Sequence, residues 1–414
     1  MGTLALNGGE KIRTAPFQGW PIFGKKEEDA LLEVCRSGKW GLGLKVEEFE
    51  RQFAAFQDAK YGICMTSGTA ALEIALLTVG VKPGDEVIIP PYTFIATASA
   101  VIMVGAIPIF VDVEPDTYNL DPAQIEEAIT EKTVAIVPVH IGGRPADLDA
   151  IMEMAQKHDL RVIEDACQAH ASEWKGTKVG AIADIGAFSF QASKNLNAGE
   201  GGILLTNDKE LEEIAWSLHN CGRIRAGAWY EHHRMGWNCR MTEFQAAILL
   251  AQIEDLEAQS KKRWENAVYL TELLDDIDGI STMKKDPRVT ANAYHLYIFR
   301  YHPERFGGAP KKRFIEALNA EGIPASPGYG PLYKEIAFKA GVEDLPFESA
   351  YFKGEPDYSQ VSCPVTERIC QDEALWLKQS IFLGTKEDME DIAGAVRKVQ
   401  EHCHELMGAA AVAD

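Results

Sequence analysis

Residues 61–80 read YGICMTSGTAALEIALLTVG. The apolar run Tyr61–Met65 is short enough for a strand and shows no polar alternation, so both of its faces should be covered. A turn of small and hydroxylated residues follows, Thr66-Ser67-Gly68-Thr69, and then a helical pattern over 69–79. A strand that feeds a helix through a tight turn is the repeating unit of a parallel sheet. The turn also has chemical use. Its small residues let backbone N–H groups approach an anion, the helix N-terminus adds partial positive charge, and the hydroxyls of Ser67 and Thr69 add donors. An ordinary capped helix start would read the same way, and no Walker loop or dinucleotide fingerprint is present.

Outward from this unit the pattern repeats. Further apolar runs at Glu86–Pro90, Ile107–Val111, Val134–Val139, Arg161–Glu164, Ala187–Phe190 and Gly202–Thr206 predict strands, with helical patterns near 94–104, 121–130 and 147–157. The 25 residues from Val87 to Val111 carry no charge, which is long enough to span a bilayer. Pro90, Pro91 and Pro108 and the flanking acids argue instead for strand, turn, helix and strand. The expected fold class is α/β, a large domain with a mostly parallel seven-stranded sheet whose ligand lies at the carboxyl ends of the strands. Thr242-x-x-Gln245 reads as a capping box opening a long helix, 242–275, that bridges to a smaller C-terminal α+β domain. In that domain YHLYIFRY (294–301) and QSIFLG (379–384) predict strands, and Lys311–Glu321 and 386–405 predict helices. The division is an arm over 1–24, a large domain over 25–255 and a small one over 256–414, with a frayed GAAAVAD tail.

Composition narrows the function. The 414 residues are 46% apolar, with 41 Lys and Arg against 62 Asp and Glu, a net charge of −21. That field repels nucleic acid and anionic lipid, so neither is an expected partner. Eight dispersed cysteines without a Cys-x-x-Cys pair suit reduced thiols, and no signal peptide opens the chain, so a cytoplasmic protein is expected. His402-Cys403-His404 could suggest a metal, but on a terminal helix adjacent side chains point apart, so no metal site is expected.

Two more stretches carry chemistry. Arg161-Val-Ile-Glu-Asp165 puts a carboxylate at the end of a central strand, where it can hold a cationic ring nitrogen or simply cap a helix. Further on, Lys194 sits between the aromatic strand Phe188-Ser189-Phe190 and the glycines 199–202. Desolvation there would lower its pKa and free the amine as a nucleophile toward carbonyls, with Phe188 and Phe190 helping to keep it neutral. A phosphate cup, a strand-end Asp and a lysine in this order describe a pyridoxal phosphate (PLP) site. Phe94 could stack on the ring or be plain core, and Ser189 could add a phosphate donor. Finally, Ser217–Arg240 carries four arginines against the single acid Glu231, and with Asn238 it could face an anion in its own or a neighbouring subunit.

The same residues resemble the DegT/StrS family of fold-type-I, PLP-dependent aminotransferases, over nearly the whole chain. The shared motifs are SGKWG (37–41), TSGTAALEIAL (66–76), PPYTFIAT (90–97), HIGGRPADLDAI (140–151), EDACQAH (164–170), SFQASKNLNAGEGG (189–202) and GWNCRMTEFQAAI (236–248). The resemblance implies that Lys194 bonds to the cofactor aldehyde and shuttles the proton, and that Asp165 pairs with the pyridinium nitrogen. It implies that Gly68, Thr69 and Ser189 bind phosphate, beside the Ser67 hydroxyl that the turn itself offers, that Phe94 stacks on the ring, and that Gln168 lies near its 3-oxygen. It also implies that Asn238 crosses a homodimer interface to the partner's phosphate, and that Gln191 and Tyr329 touch substrate. Gln191-Ala192, where sugar-nucleotide aminotransferases usually carry His-Pro, looks like the branch that aminates scyllo-inosose-type keto-cyclitols from glutamine or glutamate, as in aminocyclitol and aminoglycoside antibiotic biosynthesis. It also resembles aminohydroxybenzoate synthases.

Overall fold

The computed structural model describes residues 3–340 and 358–406; the tail read as frayed lies outside them. Two helices, α1 (Lys25–Ser37) and α2 (Leu44–Phe56), precede an alternation of strands and helices: β1 (Tyr61–Met65), α3 (Gly68–Thr78), β2 (Glu86–Ile89), α4 (Ala96–Met103), β3 (Ile107–Phe110), β4 (Thr133–Ile136), α5 (Leu148–His158), β5 (Arg161–Asp165), β6 (Ile185–Ser189) and β7 (Gly202–Thr206). All seven expected strands join one sheet in the order β1-β7-β6-β5-β4-β2-β3. The run from β3 to β6 is parallel, and β7 alone is antiparallel to both of its neighbours. The uncharged 87–111 stretch folds as strand, turn, helix and strand, and no helix of the described residues is long and apolar enough to cross a membrane. Near 121–130 the expected helix is only a 3-10 turn (Pro122–Gln124) and one α-turn (Ile125–Ala128).

After α6 (Lys209–His219), Thr242 caps α7 (Glu243–Asp275), its hydroxyl accepting from the Gln245 amide, and 33 residues without Gly or Pro run on unbroken. The N-terminal half of α7 packs Ala246, Leu249 and Leu256 with Phe49, Phe53 and Phe190 under the large sheet. Its C-terminal half puts Ala267, Leu270 and Leu274 into a second core with Phe299, Phe314 and Leu377. That core backs a three-stranded antiparallel sheet, β8 (Ile280–Thr282), β9 (Leu296–Tyr301) and β10 (Ala374–Lys378), flanked by α8 (Lys311–Ala320) and α9 (Lys386–Glu401).

Two expectations fail here. QSIFLG is no strand: pairing with β9 stops at Lys378, and Gln379–Leu383 is a 3-10 helix. Tertiary hydrogen bonds replace the ladder, because buried Arg263 donates Nε to Gln379 Oε1 at 2.8 Å and Asn266 donates to the carbonyls of Phe382 and Gly384. The terminal helix ends at Glu401, and the 3-10 turn Cys403–Glu405 brings ligand atoms of His402, His404 and Glu405 within 4.8 Å of one another. Glu405 is already engaged, accepting from the Leu4 amide (3.1 Å), Asn7 Nδ2 (3.0 Å) and the His402 ring (3.1 Å), so it clamps the N-terminal segment.

Candidate active site

Four strand ends meet at one edge of the large sheet. β1 ends at the Thr66-Ser67 turn, β2 leads into Pro90–Ile95, and β5 and β6 stop at Asp165 and Ser189. Side chains from these ends line one cavity of about 520 Å³, closed by Gln191, Ser193, Lys194 and Glu200 from the loop before β7 and by His295 and Tyr329 from beyond α7.

The turn after β1 is a backbone-lined cup. The first amides of an α-helix have no acceptor within it. Ser67 takes up that of Ala70 at 3.1 Å, while Gly68 and Thr69 stand at the cavity wall. Two close approaches shape the cup. A Cβ at position 68 would lie 2.8 Å from Ser189 Cβ and 2.9 Å from Cys167 Sγ, and one at 202 would lie 2.3 Å from the Ser67 carbonyl oxygen. Ser189 itself is buried, its Oγ accepting from the Gln191 amide at 3.3 Å.

The paired acids at the end of β5 point to opposite faces, as strand neighbours do. Glu164 is fully buried and accepts from the amides of Gly180 (2.7 Å), Ile182 (2.8 Å) and Ala183 (2.8 Å). It also pairs with His140 Nε2 at 3.0 Å; because His140 Nδ1 accepts the Ala146 amide, the ring proton sits on Nε2. Asp165 faces the cavity. Its Oδ2 accepts the Thr97 hydroxyl at 2.8 Å and its Oδ1 the Cys167 amide at 3.2 Å, and Thr97 is held in turn by Thr93 at 3.0 Å.

Lys194 reaches the same space. Among the described residues its amine has neither a hydrogen-bond acceptor nor an ion-pair partner, and burial holds its pKa below the ordinary lysine value, opposed by the fields of Cys167 and Asp165. Burial also pushes the Cys167 thiol well above its usual range, and the Asp165 carboxylate lines the same cavity as the amine. Phe188 and Phe190 do not line the cavity. They pack on Phe53 and His170 beneath it, where burial takes the His170 pKa down to about 3, so the enclosure of Lys194 comes from its loop and from the second layer. The loop is anchored next door: Asn195 Nδ2 donates to the Ala293 carbonyl at 2.7 Å, and Asn195 Oδ1 lies 3.2 Å from His295 Nδ1.

The remaining expected residues divide. Gln168 is fixed, accepting the Gly142 amide at 2.8 Å and donating to Tyr329 Oη at 3.1 Å, and burial raises the Tyr329 phenol to about 12. Gln191 Oε1 accepts both the amide and the hydroxyl of Ser193. Phe94 is 55% exposed at the cavity rim, which removes the plain-core alternative. Asn238 is exposed and lies outside this chain's cavity, in a bridge with Asn220. Of the basic segment, Arg225 pairs with Glu212 at 2.5 Å and Arg223 stacks on Trp229. Thr93, Thr97, Cys167 and His295 also line the cavity, beyond the residues the sequence predicts. Thr97 alone carried a signal, lying one helical turn beyond Phe94 in PPYTFIAT.

The arrangement fits a phosphate-bearing pyridine aldehyde. It offers an amide-lined cup for the phosphate, a buried carboxylate for a protonated ring nitrogen and a desolvated amine for the aldehyde.

Comparison with known proteins agrees with this geometry. The profile of the DegT/DnrJ/EryC1/StrS aminotransferase family matches residues 21–397. The L-glutamine:2-deoxy-scyllo-inosose aminotransferase of Streptoalloteichus tenebrarius is 38% identical over 420 residues, covering 97% of this chain and 99% of the relative. The L-glutamine:scyllo-inosose aminotransferase of Streptomyces griseus is 35% identical, covering 98% and 99%. Among solved structures, 3-amino-5-hydroxybenzoic acid synthase superposes with a TM-score of 0.83 at 34% identity, covering 93% of this chain and 99% of that one.

Proposed function

The chain belongs to the DegT/DnrJ/EryC1/StrS aminotransferase family, and from that premise we propose that it carries an amino group from L-glutamine to a keto-cyclitol of the scyllo-inosose class. It is a PLP-dependent aminotransferase. The observation that most supports the site assignment is the convergence of the Lys194 amine, the Asp165 carboxylate and the Gly68 helix start on one cavity.

In this reading Gly68, Thr69 and Ser189 hold the phosphate, Asp165 the ring nitrogen, Phe94 one ring face and Lys194 the aldehyde. When bound, the cofactor supplies an electron sink for the carbon that loses its proton. Asp165, oriented by the Thr97 hydroxyl and the Cys167 amide, presents its carboxylate to the ring nitrogen and favours that nitrogen's protonated form. Lys194, with no competing acceptor, moves a proton as its desolvated amine alternates between base and acid. Gln191 and Tyr329 present a carboxamide and a phenol to the acceptor, hydrogen-bonding groups suited to a polyol. Assembly as a homodimer belongs to the same proposal: Asn238 reaches the partner's phosphate, and its loop exposes Trp229, Tyr230, Met235 and Trp237, an apolar surface of the kind interfaces cover. The eight free cysteines fit a cytoplasmic location.

The test loads the enzyme with amino groups from glutamine and then offers scyllo-inosose, 2-deoxy-scyllo-inosose and a nucleotide-linked ketosugar. The cyclitols should restore the cofactor's visible absorbance, and restoration by the nucleotide sugar alone would defeat the proposal. The likeness to 3-amino-5-hydroxybenzoic acid synthase supports a second reading, a dehydrating synthase; loss of water from the acceptor, read by mass spectrometry, would select it.

A further inference from the structure

A second cavity, of about 460 Å³, opens between the C-terminal half of α7 and the segment 283–298. Its walls include the rings of Trp264, Tyr294 and Tyr297, the first two with centroids 5.9 Å apart and the last two stacked at the same separation. At its base lies Arg144, only 6% exposed. Such a group is normally paired, because an unpaired charge in a buried site is costly. Yet Arg144 Nε has no partner, and among the described residues the side chain makes no hydrogen bond or ion pair. The nearby carboxylate of Asp286 is occupied by Arg288, which binds it through Nη2 at 2.7 Å and through its amide at 2.9 Å. The exposed Lys284 and Lys285 also line the cavity, Lys285 pairing with Asp275 at 3.5 Å, so Lys284 adds positive charge there.

From this geometry we infer that the cavity is a binding site for a small organic anion, a carboxylate carried on a flat apolar body. The carboxylate is received by the Arg144 guanidinium and the body lies among Trp264, Tyr294 and Tyr297. A bidentate carboxylate supplies the acceptors Arg144 lacks, and the three rings supply stacking surface that a bare inorganic anion would leave unused. The site is separate from the cavity that holds Lys194 and owes nothing to the identity of the aminated acceptor.

Benzoate is the probe and benzamide its uncharged counterpart, both titrated calorimetrically into the PLP-loaded enzyme. Benzoate should bind at least about tenfold more tightly than benzamide, and Arg144→Met should remove that preference. Because the benzamide comparison uses the unaltered chain, it stands even if the variant folds poorly. Crystals soaked in 4-bromobenzoate should show the bromine anomalous signal among the three rings, with the carboxylate on Arg144. Equal affinity for benzoate and benzamide, unchanged affinity in a folded Arg144→Met, a bromine signal only in the Lys194 cavity, or binding at crystal concentration only would each overturn the inference.

Discussion

Lys194 and Lys311 are both desolvated, and they are put to opposite uses. Lys311 opens α8 in the small antiparallel layer, and its ammonium donates to the carbonyls of Pro327 (3.2 Å), Ala374 (3.0 Å) and Cys370. Lys194 lies at the carboxyl edge of the large sheet and has no acceptor among the described residues. Burial lowers the pKa of both. The difference lies in what surrounds the nitrogen. Three carbonyls make an ammonium a structural tie between helix and strand, whereas a cavity without acceptors leaves an amine available for bond formation and proton transfer. Desolvation alone therefore does not identify a reactive lysine; desolvation without satisfied donors does.

The sharpest test of that contrast is to remove each amine in turn. Lys194→Ala should lower turnover by more than about 10⁴-fold, since it loses the covalent attachment as well as a proton-transfer group worth roughly 10²–10⁴ alone. Its melting temperature should not fall below that of the parent, read by calorimetry on both apo-proteins. Next in size, Asp165→Asn keeps the shape and the Thr97 contact but removes the carboxylate proposed to face the ring nitrogen. Turnover should fall by roughly 10²–10³-fold, the usual cost of losing one preorganised electrostatic partner. A variant within a few-fold of the parent would break the assignment of Asp165.

Lys311→Met should reverse the pattern. It leaves up to three carbonyls without their donor, a loss of about 2–4 kcal/mol in a denaturant melt. Turnover below the unfolding transition should hardly change. If Lys311→Met instead abolished turnover in a folded protein, the two lysines would not be separable in this way.

Much of this was legible in the residues because the signals were local. The turn 66–69 follows an apolar run and precedes a helical period, so the cup needed no tertiary information, and Asp165 and Lys194 stand beside strands that the apolar runs mark. The part that was not legible depends on contacts distant in sequence. His295 and Tyr329 reach the cavity from beyond α7, and no local pattern says that the second layer closes over the first. QSIFLG has the composition of a strand and is instead a 3-10 helix to which Arg263 and Asn266 of α7, each 116 residues away in sequence, hydrogen-bond. Phe188 and Phe190 do not enclose Lys194 for a related reason: neighbours on a strand face opposite ways, so Ser189 lines the cavity with Lys194 while the two rings pack beneath it.

The smallest expected effect is a pH dependence. A lysine whose folded pKa is lowered binds fewer protons than its unfolded counterpart at every pH between the two values. Unfolding there takes up protons, and stability rises with pH across that window. At pH below the folded value both states are charged, so the apo-protein carries the full cost of a buried ammonium, about 1.4 kcal/mol for each pKa unit of lowering. Lys194→Met removes that cost. The apo-variant should be the more stable protein at low pH, and its advantage should shrink as pH climbs toward the ordinary lysine value of 10.5. Chemical melts of apo-parent and apo-variant at several pH values read this directly. A constant gap would mean that the amine is solvated in the empty cavity, and a gap that widens with pH would mean that a buried acceptor raises its pKa. Either result would mean that burial does not hold the Lys194 amine below its ordinary value, and the amine would lose its claim to be a desolvated nucleophile.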